Sequence, residues 1–278
     1  MFKIVTDGKS YSDGIPLDSA VLILENFGKI YASSLTEACL SLKISPSDTP
    51  NIKLESAQKG SGIYDLILNG TAIVLPMLPQ VYATAWTCLK NAYVFIQTLN
   101  DFKKKNGTPM TIHIDNSPGA TVYVSGRDTI VVPQPAFNVA KASLKAFSEI
   151  AKAVQADTNA HATTYYSQFY DDRKSITNEN ADDFISKDFS TVDEKPVELE
   201  ANIYKLNKKT LNGTLEFSDG EQTRAVAFTA DKDMSVLAAI ALASERCNIT
   251  ATPERHSNIL GESRIVRFHI TDITIPKA

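Results

Sequence analysis

Apolar residues recur along the first half of the chain with two alternating periods. Phe2 to Val5 is apolar enough for a short strand, closed by the turn-prone run DGKSYSDG. After Pro16, Asp18 can cap a helix along which Val21, Leu22, Leu24, Phe27, Ile30, Tyr31, Leu35, Ala38 and Leu42 return every three or four residues, although Gly28 puts its continuity in question. Two strands, Ile52 to Ala57 and Ile63 to Leu68, flank a short Gly-containing connector and predict a hairpin. Pro79, with Val81, Ala85, Trp86, Leu89, Tyr93, Ile96 and Leu99, then gives the strongest helix, ended by Lys103 to Lys105 and Gly107. A meander follows (Met110 to Asp115, Ala120 to Val124, Asp128 to Val132), and Phe137 to Val154 closes this part with an amphipathic helix. Paired strands joined by tight turns favour an antiparallel sheet covered by helices, an α+β class, over a parallel βαβ fold.

The last part of the chain is nearly all strand. Glu198 to Leu206, Leu211 to Phe217, Thr223 to Thr229, Asn248 to Thr252 and Arg264 to Ile275 alternate in polarity, with an alanine-rich helical turn between the third and fourth. That order predicts a small five-stranded β-barrel of the OB or SH3-like kind. The predicted division is an α+β domain at 1–155, a connector at 156–195 and the barrel at 196–278. The connector assignment rests on charge and composition: 156–195 carries 4 Lys+Arg against 9 Asp+Glu and is rich in Ser, Thr and Asn, whereas the flanking parts are nearly balanced.

LEANIYKLNKKTLNGTLEF at the start of the barrel region and RIVRFHITDI at its end resemble the five-stranded barrel that closes a group of uncharacterised bacterial and phage-encoded proteins. The preceding part is similar to their N-terminal α+β domain, with Gly60-Ser61 in its hairpin and a long helix after it. The resemblance implies a two-part organisation and is compatible with a phage or bacterial immunity context. It implies no activity and carries over no functional residue.

Composition narrows the field. Three cysteines, Cys39, Cys88 and Cys247, lie far apart and read as buried thiols, with no disulfide framework or metal clip. The N-terminus has no secretory pattern, which predicts a cytoplasmic protein. Leu66 to Leu89 has no formal charge, but Pro76 and Pro79 interrupt it, so a membrane span is not expected.

Candidate chemistry is sparse, and no catalytic, cofactor or metal motif emerges. His113 and Asp115 alternate on a predicted strand and fit a structural pair better than an acid–base one. Gly60-Ser61-Gly62 precedes a strand and lacks the helix N-terminus that a phosphate loop needs. Arg255, His256, Arg264, Arg267 and His269 suggest a ligand-binding barrel face, with Arg267 and His269 in the outward row of the last strand. Tyr165, Tyr166, Phe169 and Tyr170 fall on one side of a predicted helix in the connector, a candidate interaction surface. The leading expectation is a non-enzymatic binding or assembly protein, acting as an oligomer or through a protein partner. A binder of a small anionic ligand or single-stranded nucleic acid through the barrel is the alternative, and a hydrolase whose residues converge only in the fold is the third.

Overall fold

The computed structural model describes residues 1–7, 16–58, 62–72, 74–107, 111–113, 120–125, 128–156, 160–186, 188–220, 222–244 and 246–275. The chain divides into two compact units, Met1–Ser186 and Lys187–Ala278.

In the first unit, strands β1 (Phe2–Asp7), β2 (Asn51–Gln58), β3 (Gly62–Asn69), β7 (His161–Tyr166) and β8 (Lys174–Thr177) form an antiparallel sheet in the order β2-β3-β1-β7-β8. Helices α1 (Leu17–Ser41), α2 (Leu78–Asn106) and α3 (Gln134–Gln155) pack on one another, and the apolar face of the sheet packs on them. Strands β4 (Thr111–His113), β5 (Ala120–Ser125) and β6 (Asp128–Pro133) make the expected meander as a separate small sheet. Alternation along β1 buries Phe2, Ile4 and Thr6 and leaves Lys3, Val5 and Asp7 on the other face. Phe2 stacks on Tyr31 of α1 with ring centres 4.2 Å apart and meets Tyr82 of α2 edge-on at 5.0 Å. Helix α1 runs unbroken through Gly28, and its Tyr31 hydroxyl is hydrogen-bonded to Thr164 of β7. Gly107 adopts the left-handed conformation (φ 71°) at the end of α2, as the lysine run and glycine predict. No helix among the described residues is long and apolar enough to cross a membrane.

The connector expected at 156–195 is corrected by this sheet. Strand β7 pairs with β1 from Asp7↔His161 to Phe2↔Tyr166, so most of the segment is interior structure of the first unit. Helix α2 anchors the residues from Ser175 to Phe184. Tyr93 donates its hydroxyl proton to the Ser175 carbonyl (2.6 Å), Asn100 donates to the Asp183 carbonyl (2.6 Å), and Phe184 is fully buried with its ring 4.6 Å from Tyr93. Thr, Tyr and Ser in the segment are strand residues as readily as loop residues, and pairing with β1 decides between the two. Strand β9 (Phe189–Val192), also inside the expected connector, belongs to the second unit.

In the second unit β10 (Val197–Asn207), β11 (Asn212–Asp219), β12 (Gln222–Ala230), β13 (Cys247–Ser257) and β14 (Ser263–Thr274) form a closed five-stranded barrel, with α4 (Ser235–Ala241) between the third and fourth strands. The ladder runs β10-β11-β12-β14-β13 and closes through β10–β13, while β9 adds to the outer edge of β13. All neighbours are antiparallel except β12 and β14, which run parallel, and this is OB connectivity. Ala201, Ile203, Leu215, Phe217, Phe228, Ile249, Phe268 and Ile270 fill the interior. Gly213 has no room for a side chain: a Cβ there would lie 2.0 Å from the Lys205 carbonyl oxygen and 2.5 Å from the Phe228 ring.

Candidate binding face of the barrel

The sequence places Arg264 in the inner row of β14 and Ile265 in the outer. The structure reverses both. The β13–β14 register shifts between Glu254 and Arg255, so Val266 has no opposite residue, Ile265 packs against the core and the Arg264 side chain is 71% exposed. Arg267 and His269 do lie on the outer face, as expected, with Phe268 and Ile270 inside.

The five expected ligand-binding residues are not gathered into one site. Beyond the bulge, Arg255 is paired with Asp193, its Nε 3.1 and 2.9 Å from the two carboxylate oxygens, and Arg264 lies 3.9 Å from Asp188. His256 stands between Ser190 of β9 and Arg264 of β14 in the ladder. Arg267 and His269 share Glu254, at 3.4 and 3.3 Å from its Oε2, while Ser190 donates to Oε1 at 2.6 Å. The Ser190 hydrogen bond foremost, then Arg267 and His269, hold the Glu254 carboxyl below its ordinary range. Four of the five side chains therefore already face a carboxylate.

Thr229 and His269 are linked at 2.9 Å between Oγ1 and Nδ1, which lines up Thr229, His269 and Glu254. A hydroxyl, an imidazole and a carboxylate in series suggest nucleophilic chemistry. Here all three residues sit on paired strands, in the β12–β14 and β13–β14 ladders, and tie those three strands together on the outer face. The network is a cross-strand polar brace.

Register brings forward residues that local reading passes over. Lys205↔Thr214, Thr214↔Ala227, Ala227↔Arg267 and Arg267↔Glu254 form one row across the outside of β10, β11, β12, β14 and β13. A parallel row runs Asn207, Asn212, Thr229, His269, Thr252. The central strands contribute short side chains, Thr214, Ala227 and the exposed Ala225, so they form a floor between two rims. Three strand spacings separate Lys205 from Arg267, about 14 Å before curvature. On the near rim the β10 register slips between Ile203 and Lys205, leaving Tyr204 without an opposite residue and 48% exposed beside Lys205. The turn beyond is tied by hydrogen bonds. Asn207 Oδ1 accepts from the backbone N–H of Lys209 (3.0 Å) and Thr210 (3.3 Å), and buried Leu211 closes it at φ 51°. Lys205, Lys208 and Lys209 are exposed, and among the described residues none has a carboxylate partner. Toward the other end of β10 and β11 the surface turns acidic, with Glu216 and with Glu200 paired to Arg246 at 2.8 Å. A signal for the near rim was present as KLNKK, but the partner rim is visible only through register.

The expected aromatic surface is corrected. Tyr165 and Tyr166 are on strand β7, facing opposite sides, and Tyr166 is buried at 2% exposure, its ring stacked on Tyr82 with centres 5.4 Å apart. Residues Ser167–Asp172 form a 3-10 helix, and the side chains of Phe169 and Tyr170 lie outside the described residues, as do the His113 side chain, Asp115, Gly60 and Ser61. The helical side that grouped the four aromatics does not exist.

Among the cavities of the first unit, two flank its sheet. One of about 710 Å³, mostly apolar, lies between α1 and β2, with Val21, Gly28, Ile52 and Leu54 in its walls. The adjacent β2 is an edge strand, yet it carries Lys53 and Glu55 and a bulge between Leu54 and Ser56, features that oppose edge-to-edge pairing. The other, about 460 Å³, lies on the open face of the sheet and is lined by Asp7, His161, Thr163, Tyr165, Arg173 and Ser175 among others. The three cysteines are free and buried, and burial pushes the Cys88 thiol up to about 11. No family model, no curated protein and no solved structure matches the chain.

Proposed function

We propose that the chain is a binding protein rather than an enzyme, and that it holds an extended anionic ligand on the outer face of β10, β11 and β12. The observation that supports this reading is the outer face itself: short side chains flanked by Lys205 on β10 and by Lys208 and Lys209 on a hydrogen-bonded turn, none with a carboxylate partner among the described residues, in a chain whose formal net charge is −4. Cations without a carboxylate partner meet an anion with no existing ion pair to break, and a local patch steers a ligand even when the total charge repels it. The row of arginines and histidines that suggested a basic face contributes less, because Glu254, Asp193 and Asp188 compensate it. Titration of the full chain with long-chain inorganic polyphosphate tests the reading. Binding is expected at low salt, weakened at least tenfold by Lys205→Glu with Lys209→Glu and insensitive to Arg264→Ala. No binding, or binding that those two substitutions leave unchanged, would overturn it.

A further inference from the structure

We infer that the ligand of this face is single-stranded nucleic acid, lying across the strands with its phosphates along the lysine rim; this rests on the binding role proposed above and names its ligand class. The floor is open in the row of Lys205, where Thr214 and Ala227 present no projecting side chain and Glu216, opposite Ala225, bounds it on the acidic side, so it suits a flat extended chain better than a compact anion, which needs an enclosing pocket. Between the two rims, positive charge without a carboxylate partner among the described residues lies on one. Lys205, Lys208 and Lys209 supply it, whereas Glu254 takes up Arg267 and His269 on the other. One cationic rim matches one phosphate backbone, and a duplex presents two. The compensated rim instead offers mixed donors and acceptors, Arg267, Thr229, Thr252 and Glu254, of the kind that meets base edges. Tyr204 completes the match: the β10 bulge turns it out beside Lys205, leaving a phenol face half exposed at the boundary of rim and floor, where a base can stack.

Fluorescence anisotropy with a labelled 12-residue oligothymidylate, the same length of duplex, and polyphosphate as competitor separates the possibilities. The single strand is expected to bind at least tenfold tighter than the duplex. Log affinity should fall with log salt at a slope of about −2, since three lysines each contribute roughly 0.7 on a single strand. Tyr204→Ala, an exposed position that leaves the core intact, should weaken oligothymidylate about fivefold to a hundredfold and leave polyphosphate binding unchanged. Equal affinity for duplex, or indifference of the oligonucleotide to Tyr204→Ala, overturns the inference. If polyphosphate binds at the lysine rim and oligothymidylate does not, the inference fails while the binding role stands. Failure of both probes removes the two together.

Discussion

Lys3 and Asp65 face each other across β1 and β3 on the open side of the first sheet, with Nζ 2.9 Å from Oδ1, while Ser56 donates to Oδ2 at 2.7 Å. Burial pushes the Asp65 carboxyl up, but Ser56 and Lys3 outweigh it and hold it below its ordinary value. A carboxyl depressed in the folded state contributes stability that is complete above its unfolded value, about pH 4, and is lost as pH falls through the lower folded value. Asp65→Asn is expected to cost about 1 to 3 kcal/mol at neutral pH, because the amide keeps one acceptor oxygen for two donors and offers Lys3 no charge. Urea unfolding at pH 7 and pH 3 checks this: the difference between the proteins should narrow in acid, and a constant difference would contradict it. The pair was not legible beforehand, because 62 positions separate its members and only the β1–β3 register, Lys3↔Asp65, brings them together.

Strand β7 shows how a local pattern misleads at the scale of an element. Tyr165, Tyr166, Phe169 and Tyr170 satisfy the i, i+1, i+4 spacing of a helical side, yet Thr163, Thr164, Tyr165 and Tyr166 are strand formers, and pairing with β1 settles the conformation. The two tyrosines consequently differ in kind. Tyr166→Ala should destabilise the first unit by about 3 to 5 kcal/mol, the range for removing a buried ring, whereas Tyr165→Ala on the opposite face should cost about 1 kcal/mol. Chemical denaturation of both variants measures the contrast, and similar losses would argue against the opposed faces. Helices α1, α2 and α3 were readable because three- and four-residue periodicity is intrinsic to each, and the lysine run with Gly107 marked an end by the helix dipole and a left-handed cap.

For the whole molecule, two separate interiors carry the clearest consequence. The barrel closes on its own core, from Ala201 and Ile203 through Phe228 to Ile273, and its ladder has no missing strand. A chain limited to residues 187–278 is therefore expected to fold alone, with dispersed amide resonances and one cooperative thermal transition. A collapsed spectrum would show that the barrel needs the first unit. The same closure positions the candidate face. β12 and β14 are joined in parallel across a long crossover, β10 meets β13 across the barrel, and this sets Arg267 three strands from Lys205.

Outside 156–195, what the amino-acid order determined by itself was the kind and sequence of elements: alternating polarity, helical periodicity, glycine and proline at breaks, and five strands with a helix before the fourth. These depend on neighbours a few positions away, where backbone geometry alone converts spacing into a face. Only the tertiary structure decided which strands became neighbours, that the acidic segment supplies two strands to the first sheet and one to the barrel edge, that bulges at Tyr204 and Val266 turn side chains outward, and which basic side chains meet carboxylates. Those outcomes depend on hydrogen-bond register between segments tens to more than a hundred residues apart, and a shift of one residue there moves each side chain to the other face.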